Sequence, residues 1–220
     1  LNRSKKMRGV QMAGFANIAN DTCKGLQVSG FLNICKSLSG CQLGFINICD
    51  TIIKGTPIGF ISFVRKGYNQ IEIAGSDALH ATFSYKLGTN RFYNIFSIGA
   101  RFGSTNLWGF GYGFGSEIIK REKSALSLEL IKYVLLDKNF DFYRQTGLNQ
   151  CKLTYSRNIT TSASIFGGIA LNMQDLYLDD NKWDAGNVPS LSYYSFYEHT
   201  YSDRYYMKIS PGLSLGLRYN

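Results

Sequence analysis

Only two histidines, His80 and His199, are present to move protons near neutral pH, and they stand far apart. Neither belongs to an H-E-x-x-H, G-x-S-x-G or phosphate-loop pattern, so no catalytic residue and no enzymatic activity are expected. Asp175, Asp179, Asp180, Asn181 and Asp184 crowd one segment and offer hard oxygen ligands. Their spacing lacks the turn glycine and closing glutamate of a calcium loop, so a solvated loop is the reading and no metal is expected. Gly109–Gly115 alternates glycine with aromatics and no helix follows it, which does not suit a dinucleotide and gives no cofactor. Lys120, Arg121 and Lys123 read as a positively charged strand end or turn. The cysteines, Cys23, Cys35, Cys41, Cys49 and Cys151, contain no C-x-x-C pair. Cys41 falls where neighbouring repeats carry Val10 and Leu26, so the expectation is a small buried apolar residue. A disulfide is the second reading and a metal site a distant third, and the odd count leaves at least one thiol unpaired.

The elements that carry these residues must satisfy a basic chain, with 24 Lys and Arg against 15 Asp and Glu. That balance suits nucleic acid, anionic lipid or an anionic surface polymer. The only cluster is Arg3, Lys5, Lys6 and Arg8, with no helix-turn-helix or aromatic RNA-binding pattern beside it, so no nucleic-acid partner is expected. Lipopolysaccharide phosphate is the more economical partner. No apolar run approaches the eighteen or so residues of a spanning helix. A barrel strand needs only about 9–11 residues, alternately lipid-facing and lumen-facing. The chain starts at Leu1 and enters a repeat within eight residues, which reads as a processed or truncated start with an export signal removed upstream.

Four copies of one pattern follow: Gly9-Val10-Gln11 to Ile18, Gly25-Leu26-Gln27 to Ile34, Gly40-Cys41-Gln42 to Ile48, and Gly55-Thr56-Pro57 to Phe63. Their leading glycines lie 16, 15 and 15 residues apart. Val10, Met12, Gly14, Ala16 and Ile18 share one face and Gln11, Ala13, Phe15 and Asn17 the other, the period of a strand. The last two copies are one residue shorter, which would swap faces unless a bulge at Gly44 and Gly59 restores them. Asn20-Asp21, Lys36-Ser37 and Asp50-Thr51 supply turns. Two architectures fit: consecutive antiparallel barrel strands, or coils of a β-solenoid. On the barrel reading Gln11, Asn17, Gln27 and Asn33 face the lumen as amide pairs between neighbouring strands, because lipid would leave them unsatisfied.

From Ile71 onward the repeats fade and the alternation continues. Strand runs are predicted near 69–75, 79–88, 92–103, 108–119, 124–135, 149–159, 162–173 and 206–219. Leu126, Leu128 and Leu130 oppose Ser127 and Glu129, and Leu213, Leu215, Leu217 and Tyr219 oppose Ser214, Gly216 and Arg218. With the four repeat strands the count is about twelve (10–14), giving one all-β, closed antiparallel transmembrane barrel over residues 1–220, with repeat strands at 9–64 and the remainder at 65–220. The lumen is expected to carry Phe15, Phe31, Glu129 and Arg218 against glycines such as Gly109, Gly111 and Gly113, and so to be largely plugged. Arginine is expected to be tolerated at Ser127 and Ser214 and costly at Leu128, Ile169 and Leu215. Long connections at 137–148 and 174–205 are expected to face outward. The second holds Asp179, Asp180, Trp183, Tyr193, Tyr194 and Tyr197, a candidate binding surface.

The stretch Gly55–Ile73 and the later Phe92–Gly99 and Trp108–Gly115 resemble uncharacterised Bacteroidetes-type outer-membrane proteins with G-x-Q-x-G-x-x-N surface repeats. The likeness covers most of the chain, with Asn69 where that family often has His. It implies location and fold: the outer membrane of a Gram-negative bacterium and a barrel. The functional expectation is therefore a structural or surface-binding barrel, or a narrow channel, contacting membrane lipid and lipopolysaccharide. A protein or polysaccharide would bind at its outer loops. The competing expectation is a secreted or surface-attached soluble solenoid or sandwich that binds a partner.

Overall fold

A computed structural model describes residues 1–103, 106–137, 146–177, 191–192, 194–202 and 205–220. The fold is all-β, with no helix among the described residues. It divides into a coil unit, Leu1–Gln70 with Lys86–Asn94, and a barrel unit, Ile71–Tyr85 with Ile95–Asn220.

The coil unit contains β1 (Asn2–Ser4), β2 (Met7–Ala13), β3 (Ala16–Ser29), β4 (Leu32–Leu43), β5 (Ile46–Ile58) and β6 (Ile61–Val64). These pair in parallel: Gln11 with Gln27 and then Gln42, and Asn17 with Asn33 and then Asn47. Each repeat is therefore one turn of a coil stacked in register on the last. This corrects the expectation that residues 9–64 contribute antiparallel barrel strands. The alternation is the same in both arrangements. What distinguishes them is that parallel stacking sets each residue on its own equivalent, so identical side chains can bond or pack repeatedly.

The length differences between copies fall at the bends. Ser29-Gly30-Phe31 in one turn is matched by Gly44-Phe45 in the next, with Val28 still beside Leu43 and Leu32 beside Ile46. Gly44 and Gly59 are thus bend positions and not bulges, and the register shifts fall elsewhere, between Ala19 and Thr22 and between Leu38 and Ser39. The glycine column is needed for close approach. Gly25, Gly40 and Gly55 have φ of 120°, 152° and 120°, and a Cβ on any of them would collide with the backbone of the glycine one coil earlier.

The barrel unit takes its strands from β7 (Tyr68–Ser76), β8 (Ala81–Thr89), β9 (Phe92–Arg101), β10 (Leu107–Lys120), β11 (Ser124–Asp137), β12 (Thr146–Asn158), β13 (Ala163–Tyr177) and β15 (Tyr205–Tyr219). Neighbours run in that order, and β15 pairs with both β13 and β7, which closes a ring of eight strands. Eight replaces the twelve expected, since the repeats account for the other four. Strand β14 (Tyr197–Ser202) lies outside the ring, along the first half of β15. Strands β10 to β13 and β15 run 13–15 residues, well beyond the roughly 5–6 usual for strands in globular proteins.

Candidate functional site in the barrel interior

Over one part of the barrel, alternation sends polar residues inward and apolar residues outward; further along, the interior is itself apolar, with Ile131, Leu135, Leu148 and Leu176 buried, and Lys132 is exposed outside. On β11, Ser127 and Glu129 are fully buried while Leu128 and Leu130 are exposed. On β12, Lys152 and Thr154 are buried between exposed Leu153 and Tyr155. On β15, Ser210, Ser214 and Arg218 are buried, whereas Leu213, Leu215 and Leu217 are 69%, 63% and 57% exposed. This is the reverse of a protein that hides its apolar side chains from water.

Four of the inward groups form a closed ring of charge. Arg218 on β15 donates from Nε to Glu72 on β7 at 2.7 Å and from Nη2 to Glu129 on β11 at 3.1 Å. Lys152 on β12 lies 3.4 Å from the other oxygen of Glu72 and 3.3 Å from the other oxygen of Glu129. Each carboxylate thus meets both cations, and the two acids and two bases cancel. Arg218 Nη2 also donates to Thr154 Oγ1 at 3.0 Å, and its guanidinium sits 4.2 Å above the Phe166 ring. Ion pairs of this geometry offset the cost of burying charge only because all partners are present. A carboxylate so engaged is poorly placed to act as a base or a metal ligand. No group of three His, Cys, Asp or Glu side chains among the described residues is arranged to hold a metal.

Uncharged polar links fill other levels of the interior. Ser84 donates to Ser97 at 2.8 Å, and Ser97 meets the Tyr133 hydroxyl at 3.0 Å. The Tyr133 ring packs across Gly111, its pairing partner on β10. Gln150 donates to Asn172 at 2.8 Å. Glu129 and Arg218 face inward as the sequence suggests, whereas Phe15 and Phe31 are exposed on the coil unit. Glu72 and Lys152 are not among the residues the sequence reading singles out. A signal for them exists: each is a charge in a row of polar residues, Gln70 with Glu72 and Gln150 with Lys152 and Thr154, that alternates with Ile71 and Ile73 or with Leu153 and Tyr155.

The repeat amides do not line the barrel lumen; they form two ladders inside the coil unit, because the parallel stack brings equivalents together. Asn2, Asn17 and Asn33 each donate to the next asparagine at 3.1, 3.1 and 3.0 Å. Gln42 donates to Gln27 at 2.8 Å and Gln27 to Gln11 at 2.9 Å, so this ladder runs the opposite way. The asparagines also donate across the coil, Asn17 to the Val28 carbonyl and Asn33 to the Leu43 carbonyl. Asn33→Leu should therefore strip Leu43 of its buried side-chain donor, at a cost of about 1–3 kcal/mol. Hydrogen–deuterium exchange should show lost protection over residues 25–48 and none over 124–158. Equal loss in both regions would show that the ladder does not act locally.

Cys23, Cys35 and Cys49 pack with Met7, Ala19 and Leu38 in the other half of the coil interior, and all five cysteines are free thiols. Burial, followed by the neighbouring thiols Cys49 and Cys41, pushes the Cys23 pKa up to about 11. It stays protonated and unreactive at neutral pH. His80 accepts a hydrogen bond from the Phe102 backbone at 3.2 Å.

Of the outer surface expected to bind a partner, Asp179, Asp180, Trp183 and Tyr193 lie outside the described residues. Tyr194 and Tyr197 are exposed. Tyr197, His199 and Tyr201 line one face of β14, with the two tyrosine hydroxyls 2.7 Å apart. On its other face Glu198 accepts from Tyr206 and faces Lys208. The Tyr206 hydrogen bond foremost, with Lys208 and Ser195, holds this carboxyl below the usual range.

Compared with protein-family models, curated proteins and solved structures, the chain matches none.

Proposed function

We propose that the barrel unit spans a bacterial outer membrane as a closed, non-conducting and non-enzymatic barrel with a structural or surface-binding role. The observation that carries this reading is the apolar outer face of the ring, with leucine and isoleucine exposed on β10, β11, β12, β13 and β15, around an interior that holds the charges Glu72, Glu129, Lys152 and Arg218 beside buried apolar residues. In lipid every backbone group must be paired within the protein, which a closed ring achieves. An apolar exterior then gains the solvent it matches, and strands of 13–15 residues exceed the roughly 9–11 a bilayer requires. Shallow apolar grooves along the outer wall, one of about 770 Å³ between Leu153, Ile169, Leu171 and Leu213, are suited to acyl chains. The resemblance to repeat-bearing outer-membrane proteins points the same way. Lipopolysaccharide is the expected lipid partner of a chain with net charge +9.

Eight-stranded barrels are just wide enough for side chains to fill. The ring of Glu72, Glu129, Lys152 and Arg218 and the Tyr133 cluster supply that filling. Purified protein in planar bilayers should give no large, steady conductance. A stable open current would overturn the closed-barrel reading and make the protein a channel. The exposed aromatic face of β14 is the part best suited to a protein or polysaccharide partner.

A second reading draws on the coil unit, whose parallel stack suits a surface-attached solenoid that binds a partner. Extraction separates the two. A spanning barrel needs detergent to leave the membrane fraction, whereas a peripheral solenoid module leaves in salt or alkaline carbonate.

A further inference from the structure

The coil unit follows opposite rules at its two ends. At the end holding the Cys23, Cys35 and Cys49 cluster the interior is apolar and the exterior charged, as in water-soluble proteins. Lys5, Lys6, Lys24, Lys36, Lys54 and Lys66 are all exposed there. Asp21 and Asp50 are the only acids of the segment 1–70. At the other end the interior holds Asn17, Gln27, Asn33, Gln42 and Asn47, buried and bonded to one another. The exterior there is apolar. Phe15, Phe31, Phe45 and Phe60 stack as a ridge along the bends, with ring centroids 5.1, 6.0 and 4.9 Å apart. Exposed Met12, Leu43 and Ile58 flank the ridge on one side, and Ile48 and Phe63 on the other.

We propose that the phenylalanine-ridged end of this coil inserts into one leaflet of an anionic bilayer, leaving its lysine-rich end among the headgroups. The amides inside are satisfied by their own ladder, and the apolar groups outside gain free energy where the surroundings are apolar. The depth fits a single leaflet. Five to seven residues separate the bend from the charged positions, seven from Phe31 back to Lys24 and five forward to Lys36. At about 3.3 Å per residue that gives roughly 17–23 Å, enough to cross one half of a hydrocarbon core about 30 Å thick and too little to span the whole. The uneven charge completes the match, since the anionic headgroup layer attracts lysine beside the inserted surface. Insertion of the coil does not depend on the barrel spanning a membrane.

The native Cys41, half-buried and in register with Leu26 and Thr56, lies between the row of Lys24 and Lys54, two positions back, and the ridge at Phe45, four positions on, and so falls below the headgroups if the ridge inserts. Full-length Cys151→Ala protein would be labelled at Cys41 with a nitroxide, Cys23, Cys35 and Cys49 being buried. It would be reconstituted in phosphatidylcholine–phosphatidylglycerol vesicles. Two further labels, at Lys36→Cys and Leu128→Cys, would be placed in a Cys41→Ala, Cys151→Ala chain. The expected result is that Cys41 and Leu128 collide with oxygen far more than with an aqueous nickel chelate, while Lys36 shows the reverse. A Cys41 label as open to the chelate as Lys36 would overturn the proposal. So would a Cys41 label shielded from both reagents, which would mean a protein surface covers the ridge. Either result beside a lipid-exposed Leu128 would leave the barrel reading standing. Phe45→Trp in a Trp108→Phe, Trp183→Phe chain, read by quenching with brominated lipid, tests the same insertion without cysteine changes. Its emission should be strongly quenched, and unchanged emission would overturn the proposal.

Discussion

Arginine at Leu128, Ile169 or Leu215 is expected to cost about 2–4 kcal/mol in folding into lipid vesicles, because each side chain points outward at least four residues from either end of a long strand. The same substitution at Ile159, exposed beside the end of β12, should cost only about 0–1 kcal/mol, as expected near an interface. The gradient with depth is the discriminating quantity. On a water-exposed surface such changes usually stay within about 0.5 kcal/mol regardless of position. Denaturant titration in vesicles measures it, and a flat, small set of penalties would remove the membrane-spanning reading. The sequence-based contrast with Ser127 and Ser214 does not survive. Both are buried in a filled interior, so arginine there would overpack it and add a third cation beside two carboxylates.

The second large effect concerns the charge ring. Glu129→Ala leaves Arg218 and Lys152 sharing Glu72 alone, with an uncompensated positive charge in a site closed to water. Removing one member of a buried set typically costs about 3–5 kcal/mol. Glu129→Gln combined with Lys152→Gln keeps the interior neutral and close in volume, so the pair should cost less than the sum of its singles. A full double-mutant cycle in vesicle unfolding is the measurement. Strict additivity, or a single-mutant cost under about 1 kcal/mol as for an exposed pair, would show that the four charges do not act as a unit.

Where a strand's two faces differ in polarity, the sequence is easy to read. Runs expected at 124–135 and 206–219 are found at 124–137 and 205–219, with the outward leucines on the faces assigned to them. The repeats are harder, since Val10-Gln11-Met12 alternates alike in a barrel strand and in a coil. Period-two patterning reports which side a residue faces and says nothing of the direction of the neighbouring strand. The deciding clue is the repetition itself: glutamine at 11, 27 and 42 and phenylalanine at 15, 31, 45 and 60 stack only if neighbours run parallel and in register. The charge ring is half legible. Glu129 and Arg218 stand out on leucine-rich strands, whereas Glu72 sits where the repeats give way to the barrel, on a short run with few leucines. Its partnership with Arg218 spans 146 residues and leaves no local trace.

That span sets the order of assembly. Ser214–Tyr219 of the last strand must find Ile71–Ser76 of the first before the ring exists. The contact is among the most distant in the chain, and contacts of this kind are made late and slowly. The coil, by contrast, grows between repeats 15–16 residues apart and can form while the rest is still being synthesised or exported. The carboxy-terminal strand thus acts as a latch. A chain shortened by its final six residues would retain its coil, yet would hold Glu72 without its guanidinium partner on a sheet with two open edges, and open edges invite aggregation. Closure of the barrel in this sense waits on β15.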